Sequence, residues 1–346
     1  ESPARIVGGL MLASAFLSLW ISNTASTMVM APIAAAIAAS VKGDDRFGAA
    51  ALLGVAYAAT IGGMGSLIGT PPNALFAAYM AESHGLVIGF AEWATIGLPV
   101  VAVLLPVAWV VLTRLAFRLG QTPVAMPERT ALPGPARRVA ALGAMAAALL
   151  VLRPVIDGIA PGLGLTDAGI AIAAALLLFL LPSGEGSRLL DWETARSIRW
   201  DVLLLFGGGL ALARAIDTSG LADWIAGRIA LLEGLPVFLL CLGIAAAIVA
   251  VGELASNTAM AAIFLPVAGA TAIGIGIDPV AVALPVALAA SVGFMLPVAT
   301  PPNAIVFAYP AVTRGRMLRA GALLDVVGTV LAVAVASALA PIVLGG

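Results

Sequence analysis

Two short polar motifs occur twice each in this chain, inside stretches that are otherwise apolar. Residues 22–25 and 256–259 both have the sequence Ser-Asn-Thr-Ala, and residues 70–74 and 300–304 both have Thr-Pro-Pro-Asn-Ala. Hydroxyl and amide groups can donate hydrogen bonds to a carboxylate, and their oxygen atoms can coordinate hard cations. Because the two copies keep the same order and nearly the same spacing, they predict a duplicated site for small ions.

The prolines of the second motif add backbone groups to this chemistry. Proline has no N–H and its ring clashes with the preceding helical turn, so it frees carbonyl oxygens that could bind Na⁺. A helix that starts after such a break points its N–H groups and positive dipole end at an anion. Polar residues between helices and proline kinks also occur without any ligand. The duplication of both motifs in broken stretches favours a binding site.

The composition places these motifs in a membrane. Of the 346 residues, 62% are hydrophobic and only 10% are charged, against about 25% charged in soluble domains. The net charge of -1 gives no indication of nucleic-acid binding. A lipid bilayer is therefore the predicted solvent, and each span needs roughly 20 apolar residues. The apolar stretches are 6–41, 47–81, 93–117, 138–152, 165–182, 200–216, 235–277, 279–312 and 320–343.

The distribution of Lys and Arg predicts the topology. We treat 6–41 and 235–277 as hairpins that return to their own side, and the other seven stretches as spans. Of the 17 Lys and Arg residues, only Arg153, Arg214 and Arg228 then fall outside, as the positive-inside rule expects. Five spans separate the two hairpins, so the repeats have opposite orientations. Inverted repeats with interrupted helices are typical of secondary transporters.

The predicted fold is an all-α membrane protein, an inverted-repeat secondary transporter with two re-entrant helical hairpins and two interrupted helices. Residues 1–117 form the C-terminal part of the first repeat, with hairpin 6–41, broken helix 47–81 and helix 93–117. Residues 118–137 form a cytoplasmic linker. Residues 138–346 form the second repeat, with helices 138–152, 165–182 and 200–216, hairpin 235–277, broken helix 279–312 and helix 320–343. Because the second repeat has more chain before its hairpin, we expect N-terminal truncation by roughly three membrane segments.

These paired motifs resemble the divalent anion/sodium symporter family, which includes sodium–dicarboxylate and citrate carriers. The resemblance covers essentially the whole chain, and residues 253–258 (Glu-Leu-Ala-Ser-Asn-Thr) closely match the second family motif. It implies sodium-coupled transport of small divalent anions, most of all the C4-dicarboxylates succinate, malate and fumarate. Dicarboxylate exchange, or transport of sulfate or citrate, is the alternative within the family. It also implies an elevator motion, a homodimer in the full-length protein and a multi-pass location in the bacterial inner membrane.

The resemblance also assigns candidate site residues. The first sodium site would use Ser18, Ser22, Asn23 and the Gly69 backbone. The second would use Ala255, Asn257 and the Ala299 backbone. The substrate would contact Asn23, Thr24, Thr70, Asn257, Thr258, Thr300 and Pro301. Family members often carry a hydroxyl residue four positions before the second Ser, and Gly252 occupies that position here. This departure weakens the second sodium site and leaves exchange open.

Other classes of function find less support in the sequence. An intramembrane enzyme needs a nucleophile with a base or a metal site, and the chain has one histidine, His84, and one cysteine, Cys241. We therefore expect no catalytic residues and no enzyme activity. An anion channel, which needs only pore-lining rings, is the alternative of another class. Glu253, an ionisable residue in an apolar hairpin, is a candidate functional residue, but we expect it to brace the hairpin backbone. Asp325 could be a proton or ion site, but we expect it to pair with the arginines at 314–319.

Overall fold

The computed structural model describes residues 2–39, 45–120, 133–184, 186–196, 201–221, 224, 227 and 235–344. Part of the predicted linker, residues 121–132, and Arg228 lie outside the described residues. The helices are α1 (Pro3–Ser18), α2 (Asn23–Ala39), α3 (Asp45–Met64), α4 (Pro71–His84), α5 (Phe90–Val110), α6 (Gly134–Ile159), α7 (Asp167–Leu180), α8 (Trp192–Ala195), α9 (Asp201–Thr218), α10 (Val237–Gly252), α11 (Asn257–Gly274), α12 (Pro279–Ala289), α13 (Pro301–Phe307) and α14 (Arg314–Val343). A π-helical turn, Val111–Ala116, continues α5, and a 3₁₀ turn, Pro161–Leu163, follows α6.

Several of these helices have the length and apolarity that a lipid bilayer requires. Among the described residues, five segments qualify: Asp45–Met64, Phe90–Ala116, Gly134–Ile159, Asn257–Gly274 and Arg314–Val343. In α6, only 11% of the most apolar window is buried inside the protein. An apolar helix that is mostly exposed is stable in lipid, not in water. The described residues form helices and no strands, and several of the helices are apolar and long enough to cross a membrane, which agrees with the predicted all-α membrane protein.

Each of the four polar motifs lies where a helix is interrupted, as predicted. The chain leaves the helical conformation between Ser18 and Asn23, between α3 and α4, between Gly252 and Asn257, and between α12 and α13. Pro71 and Pro301 are the first residues of α4 and α13. Proline suits this position because its fixed φ is helical and its missing N–H has no intrahelical partner there.

Two helices extend beyond the apolar stretches from which they were predicted. The stretch 138–152 became α6 (Gly134–Ile159), and the stretch 320–343 became α14, which begins at Arg314. Arginines mark the ends of the apolar runs, but a helix continues through them. Their aliphatic stems can lie along apolar surface while the guanidinium groups reach the membrane interface.

The chain forms two compact units that do not follow the sequence repeats. The first unit contains residues 1–88, 92–126 and 204–346, and the second contains 89–91 and 127–203. Both hairpins and both broken helices belong to the first unit. Helices α6 and α7 of the predicted second repeat belong to the second unit.

Within the first unit, each hairpin packs on the broken helix of its own repeat. Helices α1 and α2 contact α3, and α10 and α11 contact α12. The two repeats also interlock, because α2 contacts α13 and α11 contacts α4. The α1–α3 contact needs a glycine: a Cβ at Gly62 would lie 2.3 Å from the carbonyl oxygen of Ala15. This packing brings the four motifs into one body.

In the second unit, α6 and α7 form an antiparallel pair. Near one end, Arg153 Nε lies 2.6 Å from Asp167 Oδ1, and the other carboxylate oxygen of Asp167 accepts from the Phe90 N–H at 2.8 Å. At the other end, Arg138 donates to the Pro182 carbonyl at 2.6 Å. These contacts fix the two helices in register at both ends.

Candidate functional site

The predicted substrate residues all lie at the N-terminal ends of helices. Asn23 and Asn257 are the first residues of α2 and α11, and Thr70 and Thr300 precede the first residues of α4 and α13. Both threonines are buried. Thr24, Thr258 and Pro301 belong to the same first turns. The first turn of a helix has N–H groups without intrahelical partners, so these positions offer hydrogen-bond donors to a ligand.

The two Pro-Pro-Asn motifs fold in the same way. Asn73 Nδ2 donates to the carbonyl oxygens ten and seven residues earlier, Gly63 at 3.0 Å and Ser66 at 2.7 Å. Asn303 Nδ2 donates to the residues at the same two offsets, Gly293 at 3.1 Å and Leu296 at 2.9 Å. Both asparagine side chains are fully buried.

The shared hydrogen bonds give these asparagines a structural role. Each one satisfies two carbonyl groups that the helix interruption leaves without a helical partner. Both asparagines belong to the repeated motif, but no role was predicted for either of them. Their repetition at matching positions was the signal that could have identified them.

In the first repeat, the amide of Asn23 lies against a cluster of oxygen atoms. One amide atom is 2.7 Å from Ser18 Oγ and 3.1 Å from the carbonyl oxygens of both Gly69 and Ala59. With the nitrogen in that place, the amide donates to all three oxygens, and this orientation satisfies both amide atoms. With the oxygen there, the Ser18 hydroxyl donates to it, and the two carbonyl oxygens face it without a hydrogen, a set of oxygens that a bound cation would suit.

The cluster contains three of the four residues predicted for the first sodium site, and it adds the Ala59 carbonyl. Ser22, the fourth, makes a different contact: its exposed hydroxyl accepts from the Ala25 N–H at 3.3 Å. It therefore caps the start of α2. The sequence could not identify the Ala59 carbonyl, because Ala59 lies in the middle of a predicted helix and has the same residue type as several of its neighbours.

Two glycines let the backbone come close to this cluster. A Cβ at Gly63 would lie 2.1 Å from the Asn23 amide, and a Cβ at Gly69 would lie 2.6 Å from the Gly63 carbonyl oxygen and 2.8 Å from that of Ser18. Any side chain at these positions would push the elements apart. Glycine is the residue that permits such close approach.

The second repeat has a sparser counterpart. Asn257 Oδ1 is buried and has no hydrogen-bond partner in the described part of the chain. Gly252 stands where the first repeat has Ser18, so it offers no hydroxyl to that oxygen. Ala255 lies in the tip of the second hairpin, residues 253–256, and its N–H donates to the Gly252 carbonyl at 3.2 Å. The Ala299 side chain is buried in the loop before α13.

The loop before α13 is held by two carboxyl groups. Glu253 accepts from the Met295 and Leu296 N–H groups at 3.0 and 2.6 Å, and Asp325 accepts from the Phe294 N–H at 2.9 Å. Glu253 thus braces a different segment from the hairpin backbone that we expected. The expected pairing of Asp325 with the arginines at 314–319 is wrong. Asp325 is buried well inside α14, whereas those arginines lie in its first turns.

Comparisons with known proteins agree with the family that the repeated motifs indicated. The model of the citrate transporter family matches residues 1–287. The chain is 36% identical over 376 residues to the sodium-dependent dicarboxylate transporter SdcS of Staphylococcus saprophyticus, covering 99% of this chain and 71% of the relative. The chain belongs to the citrate transporter family. It is also 34% identical over 367 residues to SdcS of Staphylococcus aureus strain USA300, again covering 71% of the relative.

Membership of the citrate transporter family confirms the resemblance to divalent anion/sodium symporters. The family and relatives are named for transport, so this member is a transporter and not an enzyme. Its apolar helices agree with a multi-pass membrane protein. The names of the relatives assign no residue, so the roles of Asn23, Asn257 and the other site residues rest on the geometry described above.

Proposed function

We propose that this protein is a sodium-coupled secondary active transporter of small divalent anions, with C4-dicarboxylates such as succinate, malate and fumarate as its main substrates. The observation that carries the proposal is the oxygen cluster around Asn23. The family match supports a transported dicarboxylate or citrate, and the two SdcS relatives are named as sodium-dependent. Sodium is here a transported ion.

The first sodium site is the Asn23 cluster. Asn23 Oδ1, Ser18 Oγ and the carbonyl oxygens of Gly69 and Ala59 are uncharged oxygen ligands, which suit a hard monovalent cation. When the ion leaves, rotation of the amide turns its N–H groups towards the same oxygens and keeps them satisfied. Ser22 contributes by capping α2 and thereby fixing where Asn23 begins the helix.

The second sodium site involves Asn257 with the backbone of Ala255 and Ala299. The buried Oδ1 atom of Asn257 has no donor in the described part of the chain, so a cation is a fitting partner for it. Gly252 leaves this site with one hydroxyl fewer than the first. We therefore propose that it binds sodium more weakly.

The anion binds where the four motifs begin their helices. Asn23, Thr24, Thr70, Asn257, Thr258 and Thr300 supply hydroxyl and amide donors, and Pro301 lines the same turn as Thr300. The first turns of α2, α4 and α11 add backbone N–H groups. Adjacent sodium ions would lower the cost of holding a dianion in a membrane protein, which explains why substrate and ion move together.

The transport cycle uses two inverted repeats with re-entrant hairpins. The matching hydrogen bonds of Asn73 and Asn303 support a common origin of the two broken helices. The interlocking contacts between repeats support their movement as one body, as an elevator motion requires. We further propose a homodimer in the bacterial inner membrane. An anion channel would not need the ion-matched oxygen cluster.

Exchange of one dicarboxylate for another is the second candidate, and Gly252 favours it. A weak second sodium site would loosen the coupling between ion and substrate, so that internal dicarboxylate could drive the return step. Citrate and sulfate carriers of the family share these motifs, so both anions belong in the test.

Uptake by purified protein in liposomes tests the proposal. Radiolabelled succinate uptake would be measured with and without an inward sodium gradient, for the wild type, Asn23→Ala and Asn257→Ala. Ser337→Ala, which removes an exposed hydroxyl from α14, is the control for protein insertion and amount. We expect uptake to need sodium and to be lost in both asparagine variants but not in the control.

Other outcomes would redirect the proposal. Uptake that ignores sodium but needs internal dicarboxylate would establish the exchanger. Uptake of citrate or sulfate without succinate uptake would show that the substrate is one of those anions and not a C4-dicarboxylate. Single-channel currents carried by the anion would overturn the carrier mechanism.

A further inference from the structure

Three successive backbone N–H groups in the second broken helix are bound by two buried carboxyl groups. Phe294 donates to Asp325 Oδ1 at 2.9 Å, and Met295 and Leu296 donate to the two oxygens of Glu253 at 3.0 and 2.6 Å. Glu253 immediately follows α10 and precedes the Ser-Asn-Thr tip, whereas Asp325 lies on α14. One loop is therefore tied to two different helices.

The two carboxyl groups lie close together, because they bind the N–H groups of neighbouring residues, Phe294 and Met295. Asp325 Oδ2 is buried and has no hydrogen-bond partner among the described residues. Both side chains are almost completely buried, at 2% exposure for Glu253 and 4% for Asp325. Two adjacent buried carboxylates would repel each other strongly. In the described part of the chain, both Glu253 oxygens and Asp325 Oδ1 accept backbone N–H groups, which offset part of that repulsion.

No cation in the described part of the chain neutralises this pair. The ion pairs formed there involve other carboxylates. Arg316, on the same helix as Asp325, donates to the carbonyl oxygens of Asp45 and Ala311. Tyr57 of α3 donates to the Phe294 carbonyl at 2.7 Å and not to a carboxylate. The N–H groups of residues 294–296 are therefore the donors that the described contacts provide for the pair.

The bound loop leads directly into the second proposed ion site. It runs from the end of α12 at Ala289 to α13 at Pro301, and it contains Ala299. Helix α14 lies against it, since a Cβ at Gly321 would be 2.1 Å from the Phe294 carbonyl oxygen. Any movement of residues 294–296 would be transmitted to Ala299 over a few residues.

The first repeat also joins its hairpin tip to its loop, but there the loop supplies the side chain and the tip supplies the backbone. Leu19 corresponds to Glu253, and Ser66 corresponds to Leu296. There the Ser66 hydroxyl donates to the Leu19 carbonyl at 2.5 Å, so a loop side chain binds the backbone of the tip. In the second repeat a tip side chain binds the backbone of the loop. Each repeat thus ties its hairpin tip to its loop, and only the second uses carboxyl groups.

We propose that Glu253 and Asp325 are positioning residues of the second ion site. Together they hold the loop against the hairpin tip, so that the Ala299 carbonyl and Asn257 stay in place to bind one cation. Neither carboxyl group coordinates the ion. The inference rests on the proposed sodium coupling, but the tie between loop and tip stands independently of what is transported.

Hydrogen–deuterium exchange tests the tie without any transport assay. The variants are Asp325→Ala, Asp325→Asn and Glu253→Gln, each a single substitution in the otherwise wild-type purified protein. Thr329→Val is the matched control, because Thr329 is a buried polar residue one turn away on α14 whose hydroxyl binds only the Asp325 backbone carbonyl. The measurement is the exchange rate of peptides that contain residues 293–297.

The expected pattern distinguishes an accepted hydrogen bond from a negative charge. Asp325→Ala and Glu253→Gln should speed exchange by about tenfold, the factor that about 1.4 kcal/mol of lost stabilisation produces. Asp325→Asn should stay near the wild type, since its amide oxygen can still accept from the Phe294 N–H. Equal exchange in all variants would overturn the tie, and Asp325→Asn behaving like Asp325→Ala would overturn the role of the accepted hydrogen bond.

Sodium-dependent uptake tests the positioning role. We expect the sodium concentration for half-maximal uptake to rise about tenfold in Asp325→Ala and Glu253→Gln, with the maximal rate retained and Asp325→Asn close to wild type. Faster exchange with unchanged sodium dependence would reduce the pair to a structural support and overturn the proposal. Sodium-independent uptake by the wild type would instead refute sodium coupling, while the exchange data still decide whether the tie exists.

Discussion

Replacing Gly63 with alanine should disable the first sodium site, whereas the same change at Gly293 should be tolerated. The two glycines occupy matching positions, ten residues before Asn73 and Asn303. A Cβ at Gly63 would lie 2.1 Å from the Asn23 amide, whereas the nearest atom to a Cβ at Gly293 is 3.4 Å away. Non-bonded atoms prefer about 3.5 Å or more, so the Asn23 amide must retreat by more than about 1 Å.

The retreat removes the Asn23 amide from its contacts with Ser18, Gly69 and Ala59. Sodium would then lose the Asn23 oxygen as a ligand, and a polar contact with a charged group contributes about 1.5–3 kcal/mol, so sodium binding should weaken about 10- to 100-fold. The assay is the sodium concentration for half-maximal succinate uptake in liposomes. For Gly293→Ala, we expect a change of less than about threefold, because the new methyl makes only ordinary contacts.

Two controls separate loss of the site from misfolding. Gly9→Ala adds a methyl to α1 where nothing lies within 4 Å, and it should keep wild-type uptake. The double variant Gly63→Ala, Asn23→Ala removes the clash, so its melting temperature should recover relative to Gly63→Ala while sodium dependence stays lost. A Gly63→Ala variant that keeps its sodium affinity, or a Gly293→Ala variant that is equally damaging, would refute the role of close packing at Gly63.

Three further predictions follow from neighbouring contacts. Asn73→Leu and Asn303→Leu should lower thermal stability by similar amounts, about 2–3 kcal/mol each, because each loses two buried hydrogen bonds; unequal melting temperatures in detergent would contradict the matching roles. Gly252→Ser should strengthen sodium dependence at the second site, since the nearest atom to a Cβ there, in Met260, is 3.8 Å away; an unchanged sodium titration would count against it. Ser18→Ala should raise the half-maximal sodium concentration about tenfold through loss of its 2.7 Å contact, and normal uptake at low sodium would refute its role.

The sequence predicted the helix interruptions because their causes are local. Pro71 and Pro301 restrict the backbone wherever they occur, and their effect does not depend on what packs beside them. The apolar composition likewise required a bilayer before any contact was known. The helix ends at Gly134 and Arg314 were missed, because whether a helix continues past an arginine depends on where its guanidinium group lies relative to the membrane interface.

The sequence by itself predicted a membrane transporter and placed its two pairs of repeated polar motifs at four helix interruptions. Residue identity and spacing along the chain are sufficient for those conclusions. Only the tertiary structure decided which groups meet: the Ala59 carbonyl with the Asn23 amide, and Asp325 with the Phe294 N–H and not with an arginine. The residues of each of these contacts are brought together by helix packing, and the geometry of that packing is not encoded in any local pattern.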